Sequence, residues 1–280
     1  MKKILITAKN SYLGNSFAEW VGENFDIDFI SCRTDEWKSL SFAKYDVIYH
    51  VAGIAHIKET KHNKELYFKV NRDLTEKLAI KAKRDCVKQF IFLSSMSVYG
   101  IETGIINKDT LAQPKSSYGI SKLQGEEQIK LLEDENFKVA IIRPPMIYGK
   151  GAKGNYGSLA VLAKRITCFP DITNQRSMLY VDNLCEFIRL TINNNESGLF
   201  FPQNSDYVRT SELVQLIANE HGRKIRLTKV FNPILKILEY KLKLINKVFG
   251  NLSYDQEISS YRDKYQIYNL KESIKITEKL

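Results

Sequence analysis

The chain has 280 residues, 44% apolar and 26% charged, which is ordinary for a protein with a large buried core and excludes a disordered chain. Its formal charge of +10 favours anionic ligands, although a lysine-rich solvated surface explains the charge equally well. Cys32, Cys86, Cys168 and Cys185 form no C-x-x-C pair, which argues against a disulfide framework or a zinc site and favours the cytoplasm. No apolar stretch approaches the length of a membrane span.

Short apolar runs alternate with helical patterns along the first half of the chain. Strands are predicted at 3–7, 26–31, 46–52, 89–95 and 137–143, with helices at 14–24, 61–84, 117–133 and, later, 209–221. This alternation predicts a Rossmann-type doubly wound α/β fold, with a parallel sheet covered on both faces. Residues 1–150 are expected to form the dinucleotide-binding core, to which some later segments return. Residues 151–280 are expected to form mainly a smaller C-terminal substrate-binding lobe.

The first predicted turn has the small residues that a dinucleotide-binding turn needs. In such a turn the backbone approaches the pyrophosphate, and the following helix points its N-terminus at the phosphates. With a G-x-x-G-x-x-G spacing, Ala8 and Ser11 occupy the first two glycine positions and Gly14 the third. Tyr12 and Leu13 complete the expected contact, and the Ser11 hydroxyl is a candidate donor to a phosphate. An ordinary strand–turn–helix explains this segment about as well.

Arg33 follows the second predicted strand, where the adenosine ribose of a bound dinucleotide is expected. An acidic residue there selects NAD through the ribose 2′-hydroxyl, whereas an arginine suits the additional phosphate of NADP. Asp35 and Glu36 follow closely. The sequence therefore favours NADP and leaves NAD open.

The strongest chemical signal joins the end of the fourth strand to the helix after it. Tyr118 and Lys122 are four residues apart and share one helix face, where an ammonium is expected to lower the pKa of a tyrosine and make it an acid–base group. Ser95, at the end of the strand, can hold a substrate oxygen while hydride moves to or from a cofactor. A Tyr-x-x-x-Lys pair is common by chance, so the order of these segments carries the interpretation.

Several separate segments resemble the extended short-chain dehydrogenase/reductase family, within it the NAD-dependent epimerase/dehydratases that act on nucleotide sugars. The resemblance extends over about the first 205 residues. It rests on the glycine-like turn, on Asn71, and on D-V-I-Y-H-V-A-G at 46–53, S-S-M-S-V-Y-G at 94–100, Y-G-I-S-K at 118–122, R-P-P-M-I-Y-G at 143–149 and R-S-M-L-Y-V-D-N-L at 176–184.

This resemblance implies a role for each matching residue. Ser95 is the catalytic hydroxyl, Tyr118 the acid–base, and Lys122 the residue that binds the nicotinamide ribose; Ser95 and Tyr118 also contact the substrate. The residues implied to contact the cofactor are Val51, Ala52, Gly53, Asn71 and Pro144. The residues implied to hold the nucleotide diphosphate are Asn155 and Arg176. Arginine suits that task because its planar fork grips phosphate bidentately.

Other features are weaker. Ser177 stands where the family has an acid, and two of the three turn glycines are missing.

The spacing of the four histidines favours no metal site, and His50 is expected to be a hydrogen-bonded core residue. The basic amphipathic segment at 229–249 is typical of a surface helix of the substrate lobe, and also of a helix that lies on an anionic membrane.

These features favour the NADPH-dependent reduction of a 4-keto, 6-deoxy sugar that is carried on a nucleoside diphosphate. UDP is the favoured nucleotide, and the synthesis of surface polysaccharide is the expected setting. A UDP-hexose 4-epimerase that retains NAD is the alternative within the family. A cofactor-sensing binding module is the alternative from another class, and the presence of all three catalytic residues argues against it. No nucleic-acid partner is expected, and a homodimer is left open.

Overall fold

The computed structural model describes residues 1–55, 57, 59–230, 232–233 and 249–279. The described strands, in chain order, are β1 Lys3–Thr7, β2 Asp26–Ile30, β3 Val47–His50, β4 Gln89–Leu93, β5 Gly104–Ile106, β6 Lys138–Ile142, β7 Met146–Tyr148, β8 Cys168–Pro170, β9 Met178–Tyr180, β10 Gly198–Phe200, β11 Arg226–Thr228 and β12 Leu252–Tyr254. The described helices are α1 Tyr12–Val21, α2 Glu36–Ser39, α3 Lys64–Phe68, α4 Leu74–Arg84, α5 Ser117–Lys130, α6 Asn155–Ala163, α7 Val181–Asn193, α8 Thr210–Glu220 and α9 Leu270–Glu278.

Six parallel strands form the central sheet, in the order β2-β1-β3-β4-β6-β10. After β1 the chain forms β2 on one side of β1, and it then returns to form β3 and the later strands on the other side. Such a reversal opens a crevice beyond the carboxyl ends of β1 and β3, where open α/β sheets bind ligands. The prediction of a Rossmann-type doubly wound sheet is confirmed.

The apolar runs of the sequence form strands because both faces of the sheet are covered. All of β3 and β4 is buried, and so is β1 from Ile4 onward. One side packs on a cluster that includes Leu78, Phe90 and Phe137. Each such side chain, when fully buried, contributes about 2–3 kcal/mol through removal of apolar surface from water.

The helix predicted over 61–84 is interrupted in the structure. α3 passes through a π-helical turn at Lys69–Asp73 before α4 begins. One extra residue per turn rotates the side chains relative to a regular helix, and such turns are frequent at functional sites. Here the turn contains the buried Asn71.

The chain divides into two compact units that interleave along the sequence. The first unit comprises residues 1–100, 111–144 and 184–202, and contains the six-stranded sheet. The second comprises residues 101–110, 145–183 and the described residues from Gln203 onward. That the second unit binds the substrate stays a prediction.

The second unit contains three two-stranded parallel ladders, β11–β8, β12–β5 and β7–β9. Its helix α9 is held by the buried Glu278 carboxylate. That carboxylate accepts a hydrogen bond from Tyr156 at 2.7 Å and lies 2.7 Å from His221 Nε2 and 3.2 Å from Lys164 Nζ. Tyr148 adds a 2.7 Å hydroxyl contact to Ser273.

In the part of the chain that is described, no helix has the length and apolarity to cross a bilayer. Most of the predicted amphipathic segment, namely residues 231 and 234–248, lies outside the described residues.

Candidate active site

The crevice begins where the carboxyl ends of β1 and β3 meet. Thr7 and His50 are paired in the sheet register, and the Thr7 hydroxyl oxygen accepts hydrogen bonds from the backbone N–H groups of Val51 at 3.1 Å and Ala52 at 3.2 Å. The loop after β3 is therefore fixed to the end of β1. This places Val51 and Ala52 beside the turn that begins at Ala8.

His50 is a fully buried member of a hydrogen-bond chain. Thr75 donates to the Asn71 carbonyl oxygen, so its oxygen accepts from His50 Nε2 at 2.9 Å. His50 Nδ1 then accepts the Thr7 hydroxyl proton at 2.8 Å. Burial, with a smaller effect of the Lys122 charge, lowers the His50 pKa to about 3, so the imidazole is neutral. The prediction of a hydrogen-bonded core histidine is confirmed.

The turn after β1 has the shape of a glycine turn without its first two glycines. Ala8 has φ +76° and Asn10 has φ +67°, both in the left-handed region. The Ser11 hydroxyl caps α1 by accepting from the Gly14 N–H at 3.4 Å, and Tyr12 begins the helix. A Cβ at Gly14 would lie 2.9 Å from a methyl group of Ile6, so close packing of α1 on the sheet requires this glycine.

The predicted catalytic residues come together beyond the end of β4. The Ser95 hydroxyl is near enough to the Tyr118 phenol to lower its pKa, and the Ser95 oxygen accepts from the Ser97 N–H at 3.1 Å. Lys122, one turn after Tyr118 on α5, donates from Nζ to the Leu93 carbonyl oxygen at 2.8 Å. Its ammonium also lies 4.5 Å from the centroid of the Phe92 ring, a favourable cation–π position. The three residues predicted to act together therefore lie on adjoining segments of the first unit.

Burial has the largest effect on the pKa values of Tyr118 and Lys122. It raises the Tyr118 pKa above its ordinary value, although the Ser95 hydroxyl acts in the opposite direction. It lowers the Lys122 pKa to about 8, while the Glu126 carboxylate raises it. The prediction that the neighbouring ammonium lowers the tyrosine pKa is therefore wrong here. The phenol instead keeps its proton at neutral pH, which suits a proton donor.

Asn71 holds the loop after β3 against α5. Its side-chain oxygen accepts from the Ile54 N–H at 2.8 Å, and its side-chain nitrogen donates to the Ile54 carbonyl at 3.0 Å and to Ser121 at 3.1 Å. A Cβ added to Gly53 would lie 3.1 Å from this side chain and 3.3 Å from Lys122 Nζ. Asn71, predicted to contact the cofactor, thus shapes the backbone of the predicted cofactor loop.

Two further predicted cofactor residues lie at the edges of this region. Arg33 is exposed after β2, and its backbone N–H donates to the Ser31 hydroxyl at 3.3 Å. Pro144 is buried after β6, and its carbonyl oxygen accepts from the Met96 N–H at 3.0 Å. Small residues, an exposed arginine and a buried lysine are the groups that a nicotinamide dinucleotide needs, so the residues present fit that cofactor.

The predicted diphosphate residues belong to the second unit. Asn155 is exposed in the first turn of α6. Arg176 is half-buried, and its guanidinium donates to the Gly250 carbonyl oxygen at 2.9 Å. Ser177, which replaces the family's acid, is buried and bonds to the Gln203 side chain and to the Tyr254 N–H. It therefore has a structural role within this unit.

Sequence reasoning missed a buried ion pair next to the catalytic set. Glu126 on α5 accepts from Arg143 Nε at 3.1 Å and from Nη2 at 2.5 Å. Arg143 also donates to the Tyr99 hydroxyl at 2.9 Å, and Ser94 donates to the Glu126 carboxylate. The available signal was the spacing, since Glu126 lies four residues after Lys122 and Arg143 directly precedes Pro144.

No group of three or more histidine, cysteine, aspartate or glutamate side chains that could hold a metal ion occurs among the described residues. The fold and the assembled Ser95, Tyr118 and Lys122 side chains define a Rossmann-type protein of the dehydrogenase/reductase class.

The sequence profile of the NAD dependent epimerase/dehydratase family matches residues 12–201. The chain belongs to this family and is an NAD(P)-dependent enzyme, as the sequence predicted.

Individual proteins are similar to this chain at lower identity. UDP-glucose 4-epimerase from Vibrio cholerae is 31% identical over 229 residues, which cover 76% of this chain and 69% of that protein. The structure of UDP-glucuronic acid 4-epimerase from Bacillus cereus in complex with NAD has a TM-score of 0.73 at 18% identity, covering 99% and 95% of the two chains. The dTDP-4-dehydrorhamnose reductase of Bacillus anthracis in complex with NADP has a TM-score of 0.67 at 20% identity, covering 81% and 83%. Both structures share the fold.

Proposed function

We propose that this enzyme reduces the 4-keto group of a UDP-linked 6-deoxy sugar with NADPH. The observation that carries the proposal is that the Ser95 hydroxyl acts on the Tyr118 phenol and lowers its pKa, with Lys122 one turn further along the same helix. Because burial raises the Tyr118 pKa, the phenol is protonated at neutral pH. A protonated phenol is the form that a carbonyl reduction needs, since the nascent alkoxide must receive a proton.

The residues divide the reduction between them. The cofactor supplies the hydride that adds to the keto carbon. The Ser95 hydroxyl holds the keto oxygen, and the Tyr118 hydroxyl gives its proton to that oxygen, so that C=O becomes CH–OH. Lys122 binds the nicotinamide ribose. The balance is one hydride from the cofactor and one proton from Tyr118, which is then replaced from solvent.

The cofactor preference rests on two features of the first unit. Arg33 is exposed after β2, where a 2′-phosphate of NADP is expected. Ala8 places a methyl group in the turn that approaches the pyrophosphate, and Ser11 is engaged as a helix cap. A looser grip on the pyrophosphate suits a cofactor that leaves after each turnover. The B. anthracis reductase, which has this fold and was solved in complex with NADP, supports the proposed preference for NADP by analogy.

The substrate class rests on charge. Arg176 and Asn155 are the proposed contacts to the nucleoside diphosphate, and the net charge of +10 suits anionic ligands. We propose a role in surface polysaccharide synthesis in the cytoplasm, where the four free cysteines remain reduced. A homodimer remains a prediction.

The second candidate is a UDP-hexose 4-epimerase, favoured by the 31% identity to the V. cholerae enzyme. An epimerase uses the same three residues but returns the hydride to the opposite face of the same sugar. It must therefore retain its cofactor through the whole cycle, and its tyrosine must first remove a proton.

The deciding experiment compares the two reactions side by side. Purified protein is incubated with NADPH and a UDP-linked 6-deoxy-4-keto sugar while nicotinamide absorbance is followed. A parallel sample receives UDP-glucose or UDP-N-acetylglucosamine without added cofactor. Stoichiometric loss of NADPH supports the reductase. Epimerisation without added cofactor, with no NADPH consumption, replaces it with the epimerase.

A further inference from the structure

The Glu126–Arg143 ion pair joins the three segments that carry the proposed catalytic and nicotinamide-binding residues. Glu126 follows Lys122 by one turn of α5, so Tyr118, Lys122 and Glu126 stand on one helix face. Arg143 directly precedes Pro144 at the end of β6. Ser94, which donates to Glu126, directly precedes Ser95. The Glu126 carboxylate, on the same helix as Tyr118 and Lys122, thus accepts hydrogen bonds from Ser94 and Arg143, the residues directly before Ser95 and Pro144.

Burial of the Glu126–Arg143 ion pair costs free energy of desolvation, so its position beside the site needs an explanation. Both side chains are less than a tenth exposed, and the desolvation of two such charges offsets much of their attraction. An apolar pair of the same volume packs at least as well in many proteins. A stabilising role alone therefore explains this pair poorly.

The surroundings of Lys122 supply that reason. From β4 it receives only neutral groups, the Leu93 carbonyl and the Phe92 ring. The titratable groups that interact with it from the described elements are His50 on β3, which is neutral, and Glu126 on its own helix. The Glu126 carboxylate thus opposes the effect of burial on the ammonium.

We propose that Glu126, fixed by Arg143 and Ser94, is a positioning residue that keeps Lys122 protonated for cofactor binding and catalysis. The inference rests on the proposed role of Lys122 in the reaction. Glu126 acts only through Lys122 and the strand ends, and touches neither substrate nor cofactor.

The test removes both charges and follows pH. The double variant Glu126→Gln/Arg143→Gln leaves no unpaired buried ion and is expected to fold. Two quantities are measured between pH 6 and 10: kcat/KM, and the Kd of NADPH from nicotinamide fluorescence. We expect the alkaline decline of both to move to lower pH by about one unit, because Lys122 loses its compensating charge. Glu126→Gln alone is expected to move them further, because Arg143 then remains unpaired.

A control changes a more exposed arginine–glutamate pair elsewhere in the first unit. Arg189 and Glu186 on α7 lie 2.6 Å apart, and Glu186→Gln/Arg189→Gln is expected to keep the wild-type pH midpoints. Wild-type midpoints in a folded Glu126→Gln/Arg143→Gln variant would overturn the proposal and leave the pair with a purely structural role. A shifted NADPH-binding midpoint in a protein that reduces no keto sugar would uphold the positioning role and reject the proposed reaction.

Discussion

Gly53 and Lys122 approach so closely that a single methyl group at residue 53 would press on the lysine ammonium. The added Cβ would lie 3.3 Å from Lys122 Nζ and 3.1 Å from Asn71 Oδ1. Both neighbours are already held, Lys122 by the Leu93 carbonyl and Asn71 by Ile54 and Ser121. The glycine therefore sets the space around Lys122, the residue predicted to bind the nicotinamide ribose.

Gly53→Ala is expected to lower kcat/KM by tenfold or more, because misplacing a positioned group by a fraction of an ångström is costly. Its free energy of unfolding should change by less than about 1 kcal/mol, since residue 53 is exposed. Gly157→Ala is the control. Apart from its chain neighbours and the backbone of its own helix, no atom lies within 4 Å of a Cβ at this position in α6, so the change should stabilise by about 0.5–1 kcal/mol. Equal activity of the two variants would contradict the argument.

Tyr118→Phe is expected to cut turnover about a hundredfold or more while the protein keeps its thermal midpoint, because the proton donor is lost and the ring remains. Steady-state kinetics on the keto sugar or UDP-hexose provide the measurement. Tyr45→Phe makes the same chemical change where the hydroxyl bonds to Asp28 at 2.8 Å, and should retain full turnover. A Tyr118→Phe enzyme with near-normal turnover would remove Tyr118 from the mechanism.

Arg33→Ala is expected to weaken NADPH binding by about 1–3 kcal/mol, the scale of a lost charge-assisted contact, and to leave NADH nearly unaffected. Fluorescence titrations with the two cofactors give the comparison. Arg223→Ala, an exposed arginine of the second unit, serves as the charge control. Equal losses for both cofactors, or none, would mean that Arg33 does not face the ribose.

Ala8→Gly is expected to raise the free energy of unfolding by about 0.5–1 kcal/mol, because an L-residue at φ +76° carries strain that glycine lacks. Asn10→Gly, at φ +67°, should gain less, since asparagine tolerates this region. Urea unfolding measures both. If the epimerase alternative holds, Ala8→Gly should also tighten cofactor binding only slightly, because the cofactor is already retained.

The buried His50 predicts a defined loss of stability in acid. Its folded pKa of about 3 lies below the unfolded value near 6.5, so between these values the unfolded state binds more protons and stability falls as pH falls. At pH 4.5 this residue alone should cost about 2–3 kcal/mol relative to pH 7. His50→Gln should reduce the acid-induced loss in urea unfolding, whereas the exposed His62→Gln should not. An unchanged loss in His50→Gln would place the acid sensitivity elsewhere.

The sequence predicted the first five sheet strands and helix α5 because those segments carry strong local patterns. A buried parallel strand is an unbroken apolar run, and β1, β3, β4 and β6 all read that way. Ser95, Tyr118 and Lys122 were found together because the order of strand and helix brings their segments to one edge of the sheet.

The rest depends on contacts between distant residues. Glu126 and Arg143 are 17 positions apart, and their spacing from Lys122 and Pro144 places each near the site without showing that they pair with each other. The π-helical turn around Asn71 leaves no signature in a sequence that reads as one long helix. Each strand in the short ladders of the second unit has three residues, too few for an alternating apolar pattern to be recognised in the sequence.

The last strand of the central sheet has a consequence for how this protein is made. β10 pairs with β6, yet its residues 198–200 are synthesised more than fifty positions after β6 ends at Ile142. Until they emerge from the ribosome, the outer edge of β6 has unpaired N–H and C=O groups, a surface on which other strands can add. A fragment that stops at residue 150 would keep that edge permanently. Such a fragment should aggregate in cells, and nascent chains of this length should be the ones that chaperones bind.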